Sequence, residues 1–156
     1  MTAEQTTRRK ITRRLLALAL GMGGVIFILL ITSRYGPGVA GDSVDYLSVA
    51  DNLKQQQSFT DYAGGIYLYW PPLYPVLLAV SSWLLNSSTF QVGGWINAIS
   101  FGVLVVMGGL FFSQMYPGKM RWFLLGALLV LTATPLLRLA ANIASDPLFI
   151  VLVLAY

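Results

Sequence analysis

The chain has 156 residues, of which 56% are hydrophobic and only 10% charged, against about 25% charged in a soluble domain. Lipid is therefore the expected solvent for much of it. The formal net charge is +4, and cysteine and histidine are both absent, which excludes disulfides, thiolate nucleophiles, imidazole bases and the usual zinc or haem ligands. Any acid or base work falls to carboxylates and tyrosines.

Half of the ten basic residues, Arg8, Arg9, Lys10, Arg13 and Arg14, precede an uncharged apolar run over 15–32. Placed there, the cluster reads as a topology signal facing anionic lipid, and no nucleic-acid partner is expected. The run has the length of a spanning helix with its N-terminus inside. A cleaved signal peptide is the alternative, but its apolar core is shorter, about 7 to 15 residues, and further membrane segments follow here. The outer loop expected over 33–70 holds four of the six acids, Asp42, Asp45, Asp51 and Asp61, with turn formers at Gly36-Pro37-Gly38 and Gly64-Gly65. Within it Tyr46, Val49, Ala50 and Leu53 recur at helical spacing, predicting an amphipathic helix over about 43–57 on the membrane surface.

A short apolar stretch over 72–85 has the length of an interfacial or re-entrant helix. Were it to span, the loop carrying Lys119 and Arg121 would fall outside, against the preference for basic residues inside. The next span is expected over 92–115, with Gly94, Ala98 and Gly102 forming a small-residue packing face. A third is expected over 122–144, with Pro135 as a kink and Arg138 near its outer end. The apolar run from 147 holds about half the roughly 20 residues of a span, so it reads as a helix cut short. The sum is an all-α polytopic membrane protein, multi-pass, with a cytoplasmic N-terminus and every aspartate outside.

A carboxylate at a membrane interface is costly, and its default reading is functional when it has a partner. Asp42 with Asp45, and Asp146 at the head of the last helix, are the candidates. Each also fits a helix cap: Asp42 as N-cap with Asp45 at N3, and Asp146 as N-cap before Pro147. The aromatic and proline run that includes Trp70, Pro71 and Pro72 reads as an interfacial belt, with the paired prolines fixing an extended backbone that walls the acidic loop. Arg138 either snorkels to headgroups or meets a lipid phosphate. Asn86-Ser87-Ser88 matches the glycosylation pattern, which is common by chance.

The order of these features resembles the membrane-embedded GT-C fold of lipid-carrier-dependent glycosyltransferases, especially the protein-mannosyltransferase-like family 39. The matching elements are the basic N-terminus and first span, Gly41-Asp42-Ser43-Val44-Asp45-Tyr46-Leu47, Trp70-Pro71-Pro72-Leu73-Tyr74-Pro75 and Ser145-Asp146-Pro147-Leu148-Phe149. The chain departs from it at Ser43 and Trp70, where many members carry Glu and Lys. The resemblance implies a GT-C-like N-terminal transmembrane module with outer juxtamembrane helices, in the cell membrane. It implies transfer of a sugar from a polyprenyl-phosphate donor to an acceptor hydroxyl at the outer face. Asp42 matches the catalytic base and Asp146 the second outer acid. Asp45, Tyr46, Trp70, Pro71, Pro72 and Arg138 join Asp146 as expected substrate contacts, and a divalent cation such as magnesium or manganese is a candidate cofactor. A transporter or channel component with an acidic outer site, and a scaffold using Asp42 and Asp146 only as caps, are the competing readings.

Overall fold

The structure is a computed structural model that describes residues 3–56, 58–67, 69–116 and 119–156, with side chains of the first helix from residue 11 onward. The side chains of Arg8, Arg9 and Lys10, the expected helix end at Gln57, Leu68 of the aromatic run and Gly118 of the basic turn lie outside the described residues. The described residues form helices α1 Ala3–Thr32, α2 Gly41–Gln56, α3 Leu73–Leu84, α4 Thr89–Met115, α5 Met120–Thr132, α6 Thr134–Ala141 and α7 Asp146–Ala155, with no named strand.

Two of these are long and apolar enough to cross a membrane, Ile11–Thr32 within α1 and the whole of α4. α4 starts three residues before the expected Val92 because Ser88 and Gln91 close a capping box, Ser88 Oγ accepting from the Gln91 N–H at 3.2 Å. The third expected span is not one continuous helix to residue 144. α5 and α6 meet at a break around Ala133 with a 58° bend. Pro135 sits in the first turn of α6, where its missing N–H costs nothing and its ring cannot extend the preceding helix. α6 then ends at Ala141, and four residues run without helix into α7.

α4 is the centre of the bundle, with α1 on one side and α5 on the other. Close approach on both sides depends on glycine. A Cβ on Gly102 would lie 2.6 Å from the Gly21 carbonyl oxygen and equally close to Val25, while Gly108 and Gly126 meet backbone to backbone on the α5 side. In the small-residue face read around Gly94, Ala98 and Gly102, Gly102 packs against α1 and Gly94 against Pro37 of the segment after it. Gly102→Ala is expected to cost about 1–3 kcal/mol, because a backbone carbonyl cannot yield as a side chain can. Gly23→Ala, with nothing within 4 Å of its Cβ, is the neutral control. Thermal unfolding of the purified variants in one detergent measures the difference.

The packing sorts the charges. At one end Arg13 of α1 donates to the Ser113 hydroxyl of α4 and sits 5.8 Å from the Phe123 ring centroid of α5. At the other end the segment after α1 pairs with the segment after α6. Gly38 N–H donates to Ala141 O and Ile143 N–H to Gly38 O, both at 2.8 Å. A side chain at Gly38 would collide with the Asn142 amide, so glycine is required at this crossing. Asp51 of α2 accepts from the Thr89 hydroxyl at 2.8 Å, fixing α2 to the same end of α4. α3, at about 18 Å long, is too short for a hydrocarbon core of about 30 Å. Its Tyr74 reaches Asn97 and its C-terminal turn leads straight back to Thr89, so it covers only the first turns of α4.

Candidate functional site

The first turn of α2 is built differently from a simple aspartate cap. The helix begins at Gly41, and Asp42 lies inside its first turn as an exposed side chain. Ser43 does the capping work expected of Asp45: its hydroxyl accepts the Ala40 N–H at 2.9 Å and donates to Ile143 O at 2.5 Å. Ser43 is 1% exposed, which explains a small hydroxylic residue there in place of a carboxylate. Asp146 is likewise one place inside α7, after Ser145 and before a buried Pro147. The expected roles of Asp42 and Asp146 as N-caps are therefore corrected.

The acids divide by what holds them. Asp51 is engaged with Thr89. Asp61 Oδ1 accepts from the Ala63 and Gly65 N–H groups at 2.9 and 3.0 Å, folding a turn whose Gly64 has φ +80°. Asn52 grips that turn through Thr60 O at 2.8 Å, and the Tyr67 N–H donates to Phe59 O at 3.2 Å. Those acids are structural. The carboxylates of Asp42, Asp45 and Asp146 make no hydrogen bond or ion pair within the described residues, although each stands at or near the joined ends of α2 and α7.

Between these ends lies a cleft of about 260 Å³ lined by Tyr46, Trp70, Pro71, Leu73, Tyr74, Ser145, Asp146, Leu148, Phe149 and Leu152. Tyr46 hydroxyl and Ser145 Oγ are 3.1 Å apart, linking its two sides. Tyr46 packs edge-on against Tyr74 with centroids 5.1 Å apart. Four expected site residues, Tyr46, Trp70, Pro71 and Asp146, thus come together. Pro72 does not line the cleft: its φ of −72° and ψ of −11° are helical, so it opens α3 and the extended wall stops at Pro71. Arg138, in the last turn of α6, is exposed and outside the lining as well.

Burial raises the Tyr46 hydroxyl above the ordinary tyrosine value, the Ser145 hydrogen bond opposes this, and the fields of Asp42, Asp146 and Asp45 add to the rise. Tyr46 is therefore a neutral hydroxyl that feels all three unpaired carboxylates. Among the described residues no three acids converge as a ready-made metal site, so a divalent cation here would need further oxygen ligands beside these carboxylates.

Two residues of consequence were missed from the sequence. Asn97, fully buried in α4, accepts from the Tyr74 hydroxyl at 3.0 Å and donates to Asn142 O. A polar side chain in the middle of an apolar run was the available signal. Tyr67 is 2% exposed and its hydroxyl has no hydrogen-bond partner. Burial foremost, then Tyr46, Asp45 and Asp42, raises its pKa.

An unpaired buried hydroxyl costs about 1–3 kcal/mol. Tyr67→Phe is accordingly expected to stabilise the protein by about 1 kcal/mol. Tyr46, Tyr67 and Tyr74 all ionise less readily folded than at the ordinary value of 10. Their contribution to stability is complete below about pH 10 and is lost as pH rises beyond it, because the unfolded chain releases those protons first. Thermal unfolding across alkaline pH should show that decline, and Tyr67→Phe should lessen it.

The described residues thus form an all-helical protein in which two helices, and the bent pair α5–α6 if it counts as one, are fit to cross a membrane, with a carboxylate-bearing cleft at one end of the bundle. No protein-family model, no curated protein and no solved structure matches it.

Proposed function

We propose that this protein is a membrane-embedded glycosyltransferase of the GT-C type, moving a sugar from a polyprenyl-phosphate donor to an acceptor hydroxyl at the outer face. The observation that carries the reading is the cleft between α2, α3 and α7. It gathers Tyr46, Trp70, Pro71 and Asp146 from three separate segments and leaves Asp42, Asp45 and Asp146 unpaired beside it. Packing alone does not call for three unpaired carboxylates at one end of an apolar bundle.

In this reading an acceptor hydroxyl attacks the anomeric carbon, forming the new glycosidic C–O bond. Its proton passes to Asp42, and the bond from the anomeric carbon to phosphate oxygen breaks, the polyprenyl phosphate leaving with the electron pair. Asp42 is favoured as base because it is exposed, unpaired and free of any capping duty. Asp45, half-buried on the next turn, is the alternative carboxylate. The departing phosphate needs a cation. Arg138 is the nearest in sequence to the cleft, standing one helix end before Asp146.

A transporter is the second reading, favoured by the unwound stretch between α6 and α7 beside the cleft, since broken helices line binding sites in many transporters. Full-length protein in liposomes, supplied with a radiolabelled polyprenyl-phosphate sugar and a mixture of hydroxylated acceptors, separates the two. Appearance of labelled glycoside supports the transferase. Uptake of solute or cation with no glycoside formed would replace it with the transporter.

A further inference from the structure

The cleft has a charge pattern that narrows what it holds. Its lining contains one carboxylate, Asp146, the hydroxyl pair of Tyr46 and Ser145, and no lysine or arginine. A phosphate placed there would face Asp146 with no cation to offset the repulsion, and phosphate sites are built from guanidinium, ammonium or helix N-termini free of acid. The N-terminus of α7 carries Asp146 itself. A quaternary ammonium group is recognised by several aromatic faces around it. Here Tyr46 and Tyr74 are 4% and 2% exposed and turned into each other, so two rings of the lining are left open, Trp70 at 45% and Phe149 at 65%, fewer than the several that enclose such a group.

What remains is a carboxylate able to accept hydrogen bonds from two hydroxyls, a hydroxyl pair able to donate or accept, and one open indole. That set matches an uncharged polyhydroxylated ring, with its hydroxyls on Asp146 and Ser145 and its C–H face on Trp70. The rest of the lining is hydrocarbon. Leu148, Phe149 and Leu152 share one face of α7 opposite Leu73 of α3, and Phe149, Leu152 and Leu73 are all exposed. This apolar strip leads away from Asp146 along the helix, as a lipid tail would.

We infer that the cleft binds a membrane-borne amphiphile with an uncharged, polyhydroxylated head at Asp146 and Trp70 and a hydrocarbon tail along α7. Resting on the proposed transfer, this makes the cleft the acceptor's subsite and places the donor's phosphate outside it.

Photoreactive dodecyl-chain probes with glucosyl, phosphate or trimethylammonium heads test this on full-length protein in nanodiscs, with adducts mapped by mass spectrometry. The glucosyl probe should label α7 at least about fivefold more than the phosphate probe, the least expected from one like charge at contact distance. Excess dodecyl glucoside should compete. Asp146→Asn should bring the phosphate probe up toward parity. Leu152→Trp, or Leu148→Trp if the first fails to fold, should abolish labelling of α7 without changing labelling of the exposed α3 residues Val80 and Trp83. Equal or stronger labelling by the phosphate or trimethylammonium probe overturns the inference, as does α7 labelling that the filling variants leave intact, or no α7 labelling by any probe. Head-group preference without sugar transfer would sink the transferase and keep the subsite; transfer without the preference would do the reverse.

Discussion

Asp42→Asn in the full-length protein is expected to lower glycosyl transfer by at least about a hundredfold, the scale of a lost general base, while the protein accumulates in the membrane at its normal level. The two halves of that expectation come from different observations. Loss of activity follows if Asp42 takes the acceptor proton. Normal accumulation follows because Asp42 holds nothing: the cap of α2 is made by Ser43 through Ala40 N–H and Ile143 O, and Asp42 is an exposed side chain in the first turn. A carboxylate near a helix N-terminus gains only about 0.3–1 kcal/mol from the dipole when exposed, too little to threaten folding. Ser43→Ala is the matched opposite. It removes the local cap bond from Ala40 N–H and the buried hydrogen bond to Ile143 O that ties α2 to the segment after α6, so it should lower stability and activity together. Transfer retained in Asp42→Asn but lost in Asp45→Asn would move the base one turn along α2. Transfer retained in both would remove these carboxylates from the chemistry altogether.

The amphipathic face of α2 was legible because burial obeys helical periodicity: Tyr46, Val49 and Ala50 are buried and Leu53 half-buried, as the spacing predicts. The shortness of α3 was legible from its apolar run, since Leu73–Leu84 falls within the stretch expected over 72–85. The gathering of Tyr46, Trp70, Pro71 and Asp146 was expected only through the resemblance and the proposed topology, since nothing in local sequence says that residue 38 will pair with residue 142. The failures share a cause. Aspartate beside glycine or proline satisfies the cap pattern, yet whichever side chain finds both a local N–H and a tertiary acceptor takes the position, and Ser43 meets Ile143 O only once α6 has docked. Apolar runs also conceal breaks. The stretch over 122–144 is hydrophobic enough for one helix, but Pro135 and the pairing of Gly38 with Ala141 and Ile143 divide it. Arg138 was expected among the substrate contacts, but it stands exposed outside the cleft lining, because sequence gives no measure of which way a helix end faces.

Asn97→Leu should be the most damaging substitution in the bundle that leaves every helix intact. It is close to volume-conserving and suits lipid, so a chain held together by hydrocarbon packing would tolerate it. Here it strands two groups at once, the Tyr74 hydroxyl and the Asn142 carbonyl, both of which bond only to Asn97 among the contacts described. Each stranded group costs about 1–3 kcal/mol in a water-free interior. Membrane-protein measurements place single interhelical hydrogen bonds lower, near 0.6 kcal/mol on average, so a total of about 2–4 kcal/mol is the expected loss. The partner variant Tyr74→Phe separates this from a steric effect. Adding it to Asn97→Leu removes one of the stranded groups, so the double variant should be more stable than Asn97→Leu alone by about 1 kcal/mol, whereas two unrelated packing defects would add. The same hydrogen bonds join α3, which carries Leu73 and Tyr74 into the cleft, to the unwound stretch that ends at Ser145 and leads into Asp146 of α7. Asn97→Leu should therefore also lower turnover at temperatures where the protein is still folded. Unfolding midpoints of the four proteins in the cycle, with transfer rates measured well below the lowest midpoint, test both effects. A neutral Asn97→Leu would mean that the two walls of the cleft are held by something other than the α4 amide.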